Sequence, residues 1–142
     1  MENKIYIGID PDVTKNGVAI WYPKTKKLEL ENLKFFDVFE LIKSLKIRNQ
    51  ITVIIDAGWL NKANFHVVGT NKNVNGKIGE RVGANHETGR KLAEMCDYLG
   101  VEHELHRPTK SKVNKELFEQ ITGYTQRTNQ ENRDAGMLIY GK

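Results

Sequence analysis

Residues 4–10 read KIYIGID and residues 51–56 read ITVIID, and these two short runs decide the fold. In the first, Ile5, Ile7 and Ile9 alternate with Tyr6, Gly8 and Asp10, the two-residue period of a β-strand, so Gly8 and Asp10 share a face. The second carries Val53, Ile54 and Ile55 in succession, as a strand covered on both sides of a sheet requires. Each run ends in an aspartate. Lys15-Asn16-Gly17 offers Asn-Gly turn chemistry ahead of Val18–Tyr22, which predicts a second strand folded back antiparallel on the first. A third strand over Lys27–Leu33 completes a meander.

Further along, Phe35, Phe36, Phe39, Leu41, Ile42 and Leu45 follow a 3.6-residue stripe and predict a helix to about Ile47. That helix carries the chain across to the free side of the first strand, so 51–56 must pair with it in parallel. Asp10 and Asp56 then lie side by side at strand carboxyl ends, where open α/β sheets place their sites. From Gly58 to Ala84 the chain is rich in Gly, Asn and Lys without periodicity and reads as a long loop, a kind that is usually functional. Next come a helix over about Asn85–Leu99, a short strand Val101–Leu105, a helix over about Lys112–Ile121 and a last helical element from about Asn129. The expectation is an α/β fold: one mixed five-stranded sheet with helices on both faces, in a single domain spanning residues 1–142.

At 142 residues the chain suffices for one core and is short for two. Mean hydropathy of −0.56 and the lack of any apolar run near 20 residues argue against a membrane span. The strand pattern starts almost at Met1, leaving no space for a signal segment, and a cytoplasmic location is expected. The only cysteine, Cys96, sits among Leu92, Ala93, Met95 and Leu99 at helical spacing and reads as core. The net charge of +4 leans towards a polyanionic partner, with Lys72, Lys77, Arg81, Arg90, Lys91, Arg107, Lys110, Lys112 and Lys115 crowding the second half. The same charges would equally make a solvated face.

Besides the two aspartates, Glu131 and Asp134 stand three apart on the last helix, on a face continued by Ala135 and Leu138. Carboxylates gathered this closely repel one another unless a cation lies between them. Oxygen donors without an accompanying Cys or His cluster select Mg2+, with Mn2+ as substitute, over zinc. One or two such ions can activate water against a phosphodiester. Bland readings exist for each: Asp10-Pro11 can open a turn, Glu131 three after Thr128 makes a capping box, and Asp134 suits a first helical turn. Asp56, directly after Val53-Ile54-Ile55, is harder to explain without a partner. The four histidines, His66, His86, His103 and His106, show no zinc-ligand spacing, and His103 and His106 read as ordinary polar residues.

Ile7-Gly8-Ile9-Asp10-Pro11 followed by Gly17-Val18-Ala19-Ile20 resembles the opening hairpin of RuvC-type Holliday junction resolvases of the RNase H-like superfamily, and Asn132-Arg133-Asp134-Ala135 looks like their Asp-Ala signature. The order of elements agrees over nearly the whole chain. The resemblance implies a catalytic, metal-holding set of Asp10, Asp56, Glu131 and Asp134. It also implies an aromatic near the junction centre at Trp59, and a basic stretch on the scissile strand at Arg107-Pro108-Thr109-Lys110 with Lys115. Lys115, and with it Lys110, would stabilise developing negative charge; Lys72, Lys77, Arg81 and Lys112 would meet phosphates. Departures are Asp12 where the family has Gly, Asp56 where it more often has Glu, Glu131 where it has Asp, and a shorter Lys110–Lys115 connection. A phage or mobile-element variant would fit them.

The resemblance thus implies a homodimeric, Mg2+-dependent endonuclease acting on branched DNA, because two symmetric cuts suit a two-fold dimer. The 85–99 helix is a candidate interface, and neither a membrane nor a small-molecule cofactor is called for. Three rivals stand: an RNase H-like nuclease for another branched or single-stranded nucleic acid, a non-catalytic junction-binding protein, and an actin-like nucleotide-binding domain. The last wants a second Gly-rich phosphate hairpin, which the sequence lacks.

Overall fold

The computed structural model describes residues 3–61, 72–108 and 111–142, the side chains of 72–75 excepted. Five strands form one sheet: β1 Asn3–Asp10, β2 Asn16–Tyr22, β3 Lys27–Leu33, β4 Asn49–Asp56 and β5 Glu102–His106. Their order is β3-β2-β1-β4-β5. The meander is antiparallel, while β4 pairs in parallel with β1 on one side and β5 on the other. The register Ile9↔Ile55 puts Asp10 and Asp56 one step further along adjacent strand ends.

Helices cover both faces of this sheet. On one side α1 (Phe35–Leu45) and α2 (Lys72–Leu99) bring Val38, Ile42, Leu92, Met95 and Cys96 onto Ile5, Ile7, Ile9, Val53 and Ile55. Burying each of these large apolar side chains stabilises the fold by roughly 1.5–3 kcal/mol before entropy is subtracted. On the other side α4 (Gln130–Ile139) packs Ala135 and Ile139 against Ala19, Trp21 and Ile54. Outside α4 lies α3 (Lys115–Thr122), whose Phe118 is fully buried against Gly136. Cys96 is buried as expected, and burial pushes its thiol up to about 12.

Four local expectations need correction. Asn16-Gly17 does not form the turn: it opens β2, with Asn16 buried and Gly17 facing Asp10, and residues 11–15 make the connection. Asn16 works instead as a loop clamp, its Oδ1 accepting from the Asp12 N–H at 3.0 Å and its Nδ2 donating to the Leu33 carbonyl at 3.2 Å. The stretch Gly58–Ala84 is no simple loop, since Gly58–Leu60 is a 3-10 turn and α2 already runs from Lys72. In the sequence of its first turns Val74, Ile78 and Val82 stand four apart, but Gly76, Gly79 and Gly83, poor helix formers, interrupt them, so the stretch reads as a loop until the packed half of the helix is seen to continue through it. α3 starts at Lys115, capped by Asn114, which leaves Lys112 in the preceding extended segment. Lastly, the capping box of α4 is Asn129 with Asn132, not Thr128 with Glu131.

Candidate active site

Two glycines decide how closely α4 approaches the sheet. A Cβ on Gly8 would stand 2.3 Å from the Ala135 carbonyl oxygen, and one on Gly17 would stand 2.2 Å from that of Glu131. Without those Cβ atoms the helix backbone rests directly on β1 and β2, and its first two turns reach the strand ends. A second fastening is an amide cluster. Asn32 on β3 accepts at Oδ1 from Asn132 Nδ2 and Asn129 Nδ2, both at 3.0 Å, and donates through Nδ2 to Asn129 Oδ1 at 3.3 Å. Asn132 is buried, so its amide needs these partners.

This packing brings Asp134 to Asp10 and Asp56. The side chains of Asp56 and Asp134 retain only 15% and 13% exposure. Asp10 feels the environment most: burial first, then the charges of Asp56 and Asp134 and more weakly Glu131, push its carboxyl up to about 8, against a lowering by Lys112. Asp56 is also raised, by burial, with Asp134 adding to the shift and Lys112 and His106 opposing it. Lys112 Nζ donates to Asp134 Oδ2 at 2.7 Å. Burial works to lower the Lys112 ammonium, but the bond to Asp134 and the charges of Asp134, Asp10 and Asp56 outweigh it, so its pKa rises. Gln130 Nε2 donates to the other Asp134 oxygen at 2.7 Å.

One hollow lies on the cluster and a second beside it. The first, about 300 Å³, is lined by Asp56, His106, Pro108, Lys112 and Asp134. His106 Nδ1 is 3.9 Å from Asp56 Oδ1, so a histidine that the sequence offered as merely polar sits at the mouth of the site. The other, about 650 Å³, lies towards β2 and β3 and includes Asp12, Lys15, Arg81, Arg127 and Glu131. Glu131 and Asp134, expected on one face, thus serve different hollows, with Glu131 exposed and Asp134 half-buried.

The remaining expected residues are spread over the strand ends and α2. Lys112 touches the carboxylates, whereas Lys115 opens α3, is exposed and does not line the hollow of Asp56. Arg81 Nη2 lies 3.2 Å from both oxygens of Asp12, the residue standing where the resolvase pattern has glycine. Lys77 is exposed on the outer turns of α2, and Arg107 is exposed just past β5. Lys110 and the side chain of Lys72 lie outside the described residues. Trp59 packs on α2: a Cβ on Gly89 would meet its ring at 2.3 Å and Pro11 at 3.2 Å, and the Arg90 guanidinium stands 5.4 Å from the ring centroid. A base stacking on the face that Arg90 covers would have to displace it. The apolar stripe of the 85–99 helix, Leu92, Met95, Cys96 and Leu99, is consumed by the core, leaving Tyr98 as its large exposed side chain.

The donor set suits a hard divalent cation: three buried or half-buried carboxylates on adjacent strand ends and a facing helix, mutually repelling, with no cysteine among them. As the side chains lie, no three His, Cys, Asp or Glu groups among the described residues are close enough to hold one ion, and the Lys112 ammonium supplies the positive charge at Asp134.

Among solved structures, T. thermophilus RuvC in complex with a Holliday junction substrate is similar at a TM-score of 0.53 and 16% identity, covering 96% of this chain and 90% of that one. The fold is RuvC-like. No protein-family model matches the sequence, and no curated protein does either. At this identity the likeness establishes the RNase H-like architecture, a mixed five-stranded sheet with helices on both sides. Among the described residues no helix is long and apolar enough to cross a membrane.

Proposed function

We propose that this chain is a metal-dependent DNA endonuclease that resolves four-way junctions, built as a single nuclease domain and acting as a homodimer. One observation carries the reading: Asp10, Asp56 and Asp134 are held together at the carboxyl end of the parallel strand pair, with Asp10 raised to about 8 by burial and by the other two charges. Folding such a cluster is unfavourable by itself, so its presence favours a site built for a cation. The RuvC-like fold supports a nucleic-acid substrate, and the net charge of +4 agrees.

Asp10, Asp56, Glu131 and Asp134 would hold one or two Mg2+ or Mn2+ ions. When bound, such an ion lowers the pKa of a water and offsets charge on a leaving oxygen. The protein's own groups do the rest. Asp10 must give up its proton to become a ligand, which couples function to pH. Lys112, already oriented by Asp134, is placed to meet negative charge as a phosphodiester is attacked. His106 borders the same hollow, where a substrate phosphate would pass, and Arg107 next to it in the chain is exposed. Lys77, Arg81, Lys110, Lys115 and Lys72 would neutralise more distant phosphates.

The test is cleavage of a labelled synthetic four-way junction beside matched duplex and single strand, with Mg2+, Mn2+ or EDTA, comparing wild type with Asp10→Asn. Paired symmetric nicks by wild type, and binding without cutting by the variant, are expected. Cutting confined to the linear substrates would leave a nuclease of another specificity. The Lys112–Asp134 ion pair at 2.7 Å favours one second reading, a junction-binding protein in which lysine has replaced the metal. Its signature is tight junction binding with no cut under either metal.

A further inference from the structure

The larger hollow, on the β2–β3 side of the carboxylates, is not explained by the chemistry of hydrolysis. Lys15, Leu30, Glu31, Asn32, Arg127 and Thr128 line it, and it shares Glu131 and Asp12 with the site. Its charges decide what it suits. Arg81 is engaged by Asp12. That leaves Lys15 and Arg127 against Glu31 and Glu131, none of which forms an ion pair with any described residue. With two cations and two carboxylates in its lining, the hollow offers no net charge to attract a phosphate. A neutral group that both donates and accepts hydrogen bonds needs none.

An unpaired nucleobase is such a group. Arginine and lysine donate to guanine O6 and N7, glutamate accepts from the cytosine amino group, and a flipped or single-stranded base offers those edges freely. Leu30 supplies an apolar patch for the ring, and the volume of about 650 Å³ exceeds what one base needs. The rigid wall formed by Asn32, Asn129 and Asn132 holds the hollow open, since their amides are bonded to one another. We infer that this hollow is a base-reading subsite: it takes one unpaired nucleobase next to the scissile phosphate, with Arg127, Lys15 and Glu31 setting sequence preference. The inference rests on the nuclease reading and adds a specificity determinant to it.

The experiment is a library of branched substrates randomised at the nucleotides flanking the junction centre, cut under Mg2+ by wild type, Arg127→Ala, Glu31→Gln and, as a charge-matched control at the far end of β2, Lys24→Ala. Wild type should prefer one base at one position. Arg127→Ala and Glu31→Gln should narrow that preference by about tenfold, the size of one lost bidentate contact, with thermal melts unchanged, while Lys24→Ala keeps it. A loss equal for every sequence means a backbone track and overturns the inference, as does a preference that both variants retain. Selection of the same library by binding in EDTA separates this from the nuclease reading. Base-selective binding that Arg127→Ala erases, without any cutting, keeps the subsite and removes the nuclease; no base preference in either assay overturns the subsite.

Discussion

Asp10 carries the sharpest consequence of the fold. Its carboxyl is raised from the ordinary carboxylate range to about 8, so between those limits the folded metal-free protein holds a proton that the unfolded chain has released. Stability therefore falls as pH rises through this window, and is flat above it. Asp10→Asn removes the ionisable group. In EDTA the variant should melt above wild type by a margin that grows from pH 5 to pH 8, reaching several degrees; a margin independent of pH would refute the burial and repulsion assigned to Asp10. Added Mg2+ should reverse the order at pH 8 by stabilising only the wild type. Lys112 makes a second residue-level prediction. Because its ammonium already neutralises Asp134, Lys112→Ala should bind Mn2+ several-fold more tightly in a calorimetric titration, yet cut about 10²-fold more slowly for want of a donor at the developing charge. Lys115→Ala should do neither to that extent. Equal effects from the two lysines would remove the special place given to Lys112.

At the scale of elements, the site depends on how α4 and α2 are fastened to the sheet. Asn32→Ala deletes the amide that joins β3 to Asn129 and Asn132 and leaves the Nδ2 donor of the buried Asn132 without its Asn32 acceptor, which costs about 1–3 kcal/mol. Urea unfolding should show that loss. The metal affinity of the folded fraction should fall too, because α4 carries Glu131 and Asp134; a stability loss with unchanged metal binding would mean that the cluster does not position the site. On the other face, Trp59 and Pro11 both rest on Gly89, so one notch in α2 braces the loops that follow Asp56 and Asp10. Gly89→Ala requires the Trp59 ring to shift, since the new Cβ would stand 2.3 Å from it. Trp59→Phe in that background should recover part of the lost melting temperature, whereas the two substitutions should simply add if the contact is immaterial.

For the whole molecule, α2 is the unequal part. Its second half is core, while Lys77–Glu80 are exposed and Gly76, Gly79 and Gly83 have nothing within 4 Å of where a side chain would stand. Two contacts draw this half towards the loop after β1: Arg81 on Asp12, and Asn85 Oδ1 accepting from the Val13 N–H at 2.8 Å. Amide exchange should therefore be fast over residues 77–83 and slow over 92–99, and protection of the former should rise on binding branched DNA. Arg81→Ala should weaken that binding and lessen its salt dependence by about one counterion. Unaltered exchange in the complex would place the DNA elsewhere.

The strand pair that frames the site was legible from the chain itself, because the alternation of Ile5, Ile7 and Ile9 and the run Val53-Ile54-Ile55 are local statements of which faces are buried. A helix between them permits one parallel arrangement, and that arrangement juxtaposes Asp10 and Asp56. Local patterns also pointed to Cys96 as core and to the Phe35 helix. Tertiary structure decided the rest. Gly8 and Gly17 looked like strand alternation and turn chemistry, and only the approach of α4 shows them as gaps for its backbone. The outer turns of α2 carry Gly76, Gly79 and Gly83, which local helix propensity argues against, and they continue the packed half beyond them. Lys112 and His106 reach the carboxylates from an extended segment and a strand end, positions that spacing along the chain does not encode. Short-range periodicity records burial, whereas the meeting of charges from different elements depends on how those elements cross in space.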